Sequence, residues 1–207
     1  MIGRGACAAA VLCCLLQSGG GIASAATLYP PGSIGVDVSS PNCGAQIPAG
    51  ATFGIVGVTG GTPYSVNPCL AAQAAHFPTV LSLYANSGWN DHSAKLDPSS
   101  PKACPVGDAD CLAYNYGYNA GLAADDAATA AGVSSTGWWL DVESDNSWNG
   151  EVIQNRNSLQ GEHDAFTARG ATTVGVYSTT SEWQTIFEVS PAARVGCSCC
   201  CAPGEGQ

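Results

Sequence analysis

Two carboxylates, Asp141 and Glu143, follow an apolar and aromatic run in GWWLDVESDNSWNG at 137–150, in a chain of which only 11% of the residues are charged. Residues i and i+2 of a strand share a face, so the two acids point the same way while Val142 points the other. Carboxyls that share a cleft raise each other's proton affinity, and burial beside Trp138, Trp139 or Trp148 raises it further. One of them can then keep its proton near neutral pH while another is ionised. Glycoside cleavage requires that division of labour: one carboxyl protonates the leaving oxygen, and another stabilises an oxocarbenium-like transition state, forms a covalent bond or activates water. Asp37, in GVDVSSPNCG at 35–44, holds the equivalent place on the first apolar run and is the third candidate.

These acids need a scaffold that delivers strand ends to one place, and the rest of the pattern supplies it. Apolar runs at 34–39, 52–59, 78–85, 138–144 and 172–178 read as strands, and 68–76, 108–131, 151–169 and 181–187 as helices. Asp108 is the expected N-cap of the second helix, Gly132 and Gly170 the expected stops of the second and third. Residues 86–107, with Pro98, Pro101 and Pro105, form a long loop. Strand and helix in alternation predict βαβ units around a parallel sheet, either a barrel or a doubly wound sheet. No G-x-G-x-x-G opens a helix after the first strand, which argues against a dinucleotide-binding fold.

Residues 1–25 read as a secretory signal, with Arg4, the short apolar stretch ACAAAVLCCLL and an A-x-A site at Ala23-Ser24-Ala25. An exported, extracellular domain over 26–190 is expected, with no membrane association once the signal is removed and no partner subunit. Of eleven cysteines, Cys43, Cys69, Cys104 and Cys111 fall in that domain. An oxidising compartment favours disulfides over zinc, and proximity in sequence favours Cys43–Cys69 and Cys104–Cys111. The tail at 191–207, with Cys199-Cys200-Cys201, changes character abruptly and reads as disordered or non-native, since adjacent cysteines close a zinc tetrahedron poorly.

The formal charge of −10, with six Lys and Arg in all, argues against nucleic acid as a partner. It suits a polysaccharide partner. Asp145-Asn-Ser-Trp-Asn-Gly150 imitates the start of a calcium loop, but Arg156 stands where the closing Glu belongs, so a turn capping the next helix through Asn149 is the better reading. No G-x-S-x-G is present and the histidines at 76, 92 and 163 are scattered, which disfavours a serine hydrolase. No metal and no cofactor is expected. Trp89 and Trp148 are candidates for stacking on sugar rings, or for the core.

Taken together, GVDVSSPNCG at 35–44, the strand ending LYAN at 83–86, WWLDVE at 138–143 and VGVYS at 174–178 resemble successive strands of the family-25 glycoside hydrolases, the Chalaropsis-type lysozymes. More narrowly they are similar to a secreted actinobacterial branch described as glycoside-hydrolase-like. The resemblance implies a TIM-like (β/α) barrel, with five βα units present and the final strands missing, that acts on the glycan of peptidoglycan. It places Glu143 as proton donor, Asp141 and Asp37 as assisting carboxylates, and Asn86, Tyr84, Trp139, Trp148 and Tyr177 as substrate contacts. Because three family strands have no counterpart after Phe187, a truncated or frameshifted product is expected. A non-catalytic saccharide- or wall-binding module on the same scaffold, or an inactive fragment, is the alternative.

Overall fold

The computed structural model describes residue 29, residues 31–149 and residues 151–188; the expected signal at 1–25 and the Cys-rich tail at 191–207 lie outside the described residues. Five strands form one parallel sheet: β1 (Gly35–Val38), β2 (Phe53–Gly57), β3 (Leu81–Asn86), β4 (Gly137–Asp141) and β5 (Thr173–Tyr177). Their spatial order is their sequence order, each strand pairing with the next. That order has no point at which the winding reverses, so the doubly wound alternative is excluded. The sheet is open among the described residues, with β1 at one edge and β5 at the other.

Four helices connect or follow the strands: α1 (Leu70–Ala74), α2 (Ala109–Ala130), α3 (Val152–Ala168) and α4 (Thr180–Phe187). The expected alternation fails once, between β1 and β2. That connection holds only a single 3-10 turn, Ser40–Asn42, followed by loop. The local reason is composition: Pro41 and Pro48 interrupt it, and Gly44 and Gly50 turn the backbone at positive φ. Residues 43–69 are instead fastened by the Cys43–Cys69 disulfide, and Cys104–Cys111 ties the long loop to the first turn of α2.

The helix signals act where expected. Asp108 accepts a hydrogen bond from the Cys111 backbone N–H at 2.9 Å, and Gly132 and Gly170 follow α2 and α3 at φ 71° and 96°. The two long helices lie almost backbone to backbone. A methyl group on Gly117 would run into the Ser158 carbonyl, and one on Gly161 into the Tyr114 carbonyl. Among the described residues no helix is long and apolar enough to cross a membrane.

Strand alternation splits the sheet into two chemically different faces. Val38, Val56, Val58, Leu83, Ala85, Trp138 and Leu140 are buried against Ala124 and Ala128 of α2 and Phe166 of α3, with Trp138 stacked on Phe166 at 4.1 Å between ring centroids. Each large side chain buried this way contributes about 1.5–3 kcal/mol. The opposite face carries Asp37, Ile55, Tyr84, Asn86, Trp139, Asp141 and Tyr177. The apolar core therefore fixes the sheet from behind and leaves this second face free for chemistry.

Candidate active site

The strand register converts that second face into rows. Gly57 pairs with Tyr84, Tyr84 with Trp139, and Trp139 with Gly175; Asn86 pairs with Asp141, and Asp141 with Tyr177. In the first row two large rings are flanked by glycines, and each glycine is needed. A Cβ at Gly57 would lie 2.5 Å from Tyr84 Cζ, and one at Gly175 would lie 2.6 Å from Trp139 Cζ3. The rings thus lean over backbone that has no side chain in their way. Tyr29 packs lower on the same face, stacked on Phe53 at 4.0 Å, its hydroxyl donating to Ser82 Oγ and accepting from Trp139 Nε1.

Above these rows opens a cleft of about 490 Å³. Its walls include Asp37, Ile55, Tyr84, Trp139, Asp141, Glu143 and Tyr177, and the 39–42 turn forms one lip. Asn42 Oδ1 accepts from the Ser39 backbone N–H and hydroxyl, and Gln73 of α1 donates to the Ser39 carbonyl at 2.8 Å. The Cys43–Cys69 bridge joins the same lip to the start of α1. Asp37, Asp141 and Glu143 therefore line one cleft. β4 ends at Asp141, so Glu143 stands beyond the strand rather than in it. The in-and-out alternation nevertheless persists, because the Val142 N–H bonds to the Tyr177 carbonyl and its side chain is buried with Ile186 and Phe187.

Asp141 is the most enclosed of the three, 6% exposed. Asn86 Nδ2 donates to its Oδ2 at 2.6 Å, while its Oδ1 is buried with no hydrogen-bond partner. The amide of Asn86 can face only that way. Its own Oδ1 is occupied as acceptor by the Thr59 hydroxyl at 2.7 Å and the Gly61 N–H at 3.1 Å. Burial, and then the charges of Glu143, Asp37 and Glu182, push the Asp141 carboxyl up to about 7. Glu143, half-buried, is raised by desolvation and by Glu182 and Asp145. Asp37 sits on the open side of the cleft, and such desolvation as it has, with the charge of Glu143, also raises it. Tyr84 is pushed upward by burial and by Asp37 and Asp141, so it stays a neutral phenol.

The other expected contacts divide. Tyr84, Trp139 and Tyr177 present aromatic surface to the cleft, Tyr177 being 52% exposed. Asn86 lines it too, but its amide is committed to the protein. Trp148 is not among the lining residues: its indole donates to the Glu143 carbonyl at 2.9 Å and packs edge-on to Phe187. It shapes the loop that carries Glu143. Trp89, 1% exposed and bonded through Nε1 to Gln154, belongs to the core and not to a sugar platform. Asn149 accepts from the Glu151 N–H just ahead of α3.

The sequence reading missed Thr59 and Glu182. Glu182 closes a capping box with Thr179 at the start of α4 and accepts from Ser144, beside Glu143. These bonds hold its carboxyl below the usual range, so it stays ionised and bears on its neighbours. Its signal was legible as T-x-x-E ahead of an apolar stretch. Thr59 had none, since its role depends on which strand lies alongside. Among the described residues, no group of three or more His, Cys, Asp or Glu is arranged to hold a metal ion.

A parallel α/β sheet with acids gathered at its C-terminal strand ends is an arrangement that glycoside hydrolases use. A family model described as Lysozyme-like protein 1 matches residues 113–195, a span that carries Asp141 and Glu143 and leaves out Asp37 and Asn86. The match supports a lysozyme-like glycoside hydrolase relationship. No curated protein and no solved structure matches the chain.

Proposed function

We propose that this protein is a secreted lysozyme-like glycoside hydrolase that cleaves cell-wall glycan, peptidoglycan in the first instance, on a partial barrel of the family-25 type. The observation that carries the reading is the cleft itself, where Asp37, Asp141 and Glu143 face aromatic surface from Tyr84, Trp139 and Tyr177. Sugar rings present apolar faces that stack on such surfaces, and glycosidic oxygens need an acid.

Glu143 is the proton donor. It stands past the strand end, more open than Asp141, and burial together with the charges of Glu182 and Asp145 raises its proton affinity, the direction a proton donor needs. Asp37 and Asp141 supply the counterpart. Positive charge developing on the sugar is stabilised by the carboxylates of the cleft, to which Asp141, raised to about 7, adds its charge as the pH approaches neutral. The cleft thereby favours the transition state over the ground state. Asn86, held by Thr59 and Gly61, keeps Asp141 in place.

Reducing-end release from purified wall by wild type and by Glu143→Gln tests the proposal. Cleavage by wild type with a loss of at least about a hundredfold in the variant supports it. Binding to wall without cleavage by either protein would favour instead a saccharide-binding module, the second reading, which the same aromatic rows support.

A further inference from the structure

Among the described residues Tyr64, in the loop that follows β2, is the one non-glycine held at a positive φ, 63°. An aromatic residue adopts that backbone only where its surroundings over-determine it, and such outliers gather at functional sites. Tyr64 does not line the cleft. Whatever it does there it does through its neighbours.

Those neighbours form a continuous line from α2 to the cleft. The Tyr64 hydroxyl donates to the Tyr116 carbonyl inside α2 at 2.7 Å, and burial keeps it a neutral phenol able to donate. Its ring meets the Tyr116 ring edge-on at 5.1 Å and packs against the buried cluster of Trp89, Ala113 and Tyr116. One residue on, Ser65 Oγ accepts from the N–H groups of Gly60 and Thr62 at 2.8 and 3.2 Å, folding the loop back on itself. At its base the Asn67 N–H donates to the Val58 carbonyl at 2.8 Å. Gly60 and Gly61, both exposed and both in the cleft wall, have no side chain with which to fix themselves. The Ser65 turn and the Tyr64 anchor therefore decide where the Gly61 N–H points. It points at Asn86 Oδ1, 3.1 Å away, and Asn86 Nδ2 in turn donates to Asp141 Oδ2 at 2.6 Å.

We propose that Tyr64 is a positioning residue of the cleft: by tying the 59–66 loop to α2 it keeps the Gly61 N–H on Asn86, and thereby keeps the Asn86 amide donating to Asp141. Its consequence for catalysis rests on the reading of Asp141 as an assisting carboxylate. Without the anchor the loop swings from α2, Asn86 Oδ1 loses one of its two donors, and the amide is free to turn. A carboxylate that loses its donor is less stable as the anion, so Asp141 holds its proton more tightly.

Carbon-detected NMR titration of the Asp141 carboxyl on the full chain, without ligand, tests this. Tyr64→Phe keeps the ring and removes the bond; the Asp141 midpoint is expected to rise by about half a pH unit. Tyr64→Asn, which tolerates the positive φ but cannot reach Tyr116, should raise it at least as far. Tyr114→Phe removes the 2.8 Å bond of another α2 phenol, to Asp164, and should leave Asp141 unmoved. In an Asn86→Ala background Tyr64→Phe should add nothing, the mark of action through that amide. The charges of Glu143, Asp37, Glu182 and the buried Glu162 also act on Asp141 and are the same in all these variants. An unmoved midpoint in both Tyr64 variants, or the same shift without Asn86, overturns the proposal whether or not the protein cleaves glycan. The expected shifts in a protein that cleaves no glycan support the anchor and count against the hydrolase reading alone.

Discussion

Asp141→Asn should make the protein more stable at neutral pH and leave it unchanged in acid. The carboxyl is raised from 3.8 to about 7, so the folded chain holds that proton more tightly than the unfolded chain does. Between pH 3.8 and about 7 the folded state therefore binds more protons, and its stability falls as pH rises, the loss being complete above about 7. A shift of roughly three units at ~1.4 kcal/mol each bounds the effect near 4 kcal/mol. The cleft opens to water and the repulsion is spread over Asp37, Glu143 and Glu182, so about 1–2 kcal/mol survives screening. The variant mimics the protonated acid: its carbonyl can still accept from Asn86, and its amide replaces the Oδ1 that has no donor. Thermal unfolding followed by circular dichroism should place the variant about 2–8 °C above wild type at neutral pH, from ~2–4 °C per kcal/mol for a chain of this size. The two should converge near pH 4. A variant less stable than wild type at neutral pH, or a gap that does not change with pH, would refute the electrostatic reasoning.

Other consequences lie outside the cleft or beneath it. Glu162 on α3 is buried and raised to about 8, by burial first and by the charge of Asp141 among lesser causes, so its contribution also drains away as pH rises from about 4.5 to 8. Glu162→Gln should therefore flatten the decline in melting temperature between about pH 6 and 8.5, and parallel wild-type and variant curves would contradict this. Replacing Cys43 and Cys69 together by Ala releases a bridge across a sequence separation of 26, worth about 3.5 kcal/mol by loop entropy. Urea unfolding should show that loss, and an unchanged midpoint would count against the bridge as a clamp on the cleft lip. Gly175→Ala puts a Cβ 2.6 Å from Trp139 Cζ3. The indole must shift, at about 1–3 kcal/mol; a changed tryptophan emission and weaker saccharide binding are expected, and wild-type values in both would show that the ring does not lie over this strand.

Much of this architecture could be read from local pattern. Apolar runs bounded by glycine and proline marked all five strands, and Asp108, Gly132 and Gly170 acted as the helix signals they resemble. Both disulfides followed from compartment and proximity. The convergence of Asp141 with Glu143 was legible because period-two geometry survives the end of β4. What escaped was whatever depends on a neighbour distant in sequence. Nothing in LYAN says that the Asn86 amide will be spent on Thr59, Gly61 and Asp141, because strand order decides that. Trp148 looks the same in sequence whether it faces a sugar or Phe187, and only the packing of α4 chooses. The β1–β2 connection carries no helix, in keeping with its prolines and glycines, so the five βα units that the family resemblance implied come to four.

The central claim is that one cleft brings Glu143 to a glycosidic oxygen with Asp37 and Asp141 beside it. A crystal structure of Glu143→Gln with a bound wall-glycan oligomer addresses that claim most directly. The account predicts a sugar ring against Trp139 or Tyr177 and a bridging oxygen within hydrogen-bond reach of the side chain at position 143. An oligomer seated elsewhere, or one whose bridging oxygens all lie beyond that reach, would contradict it.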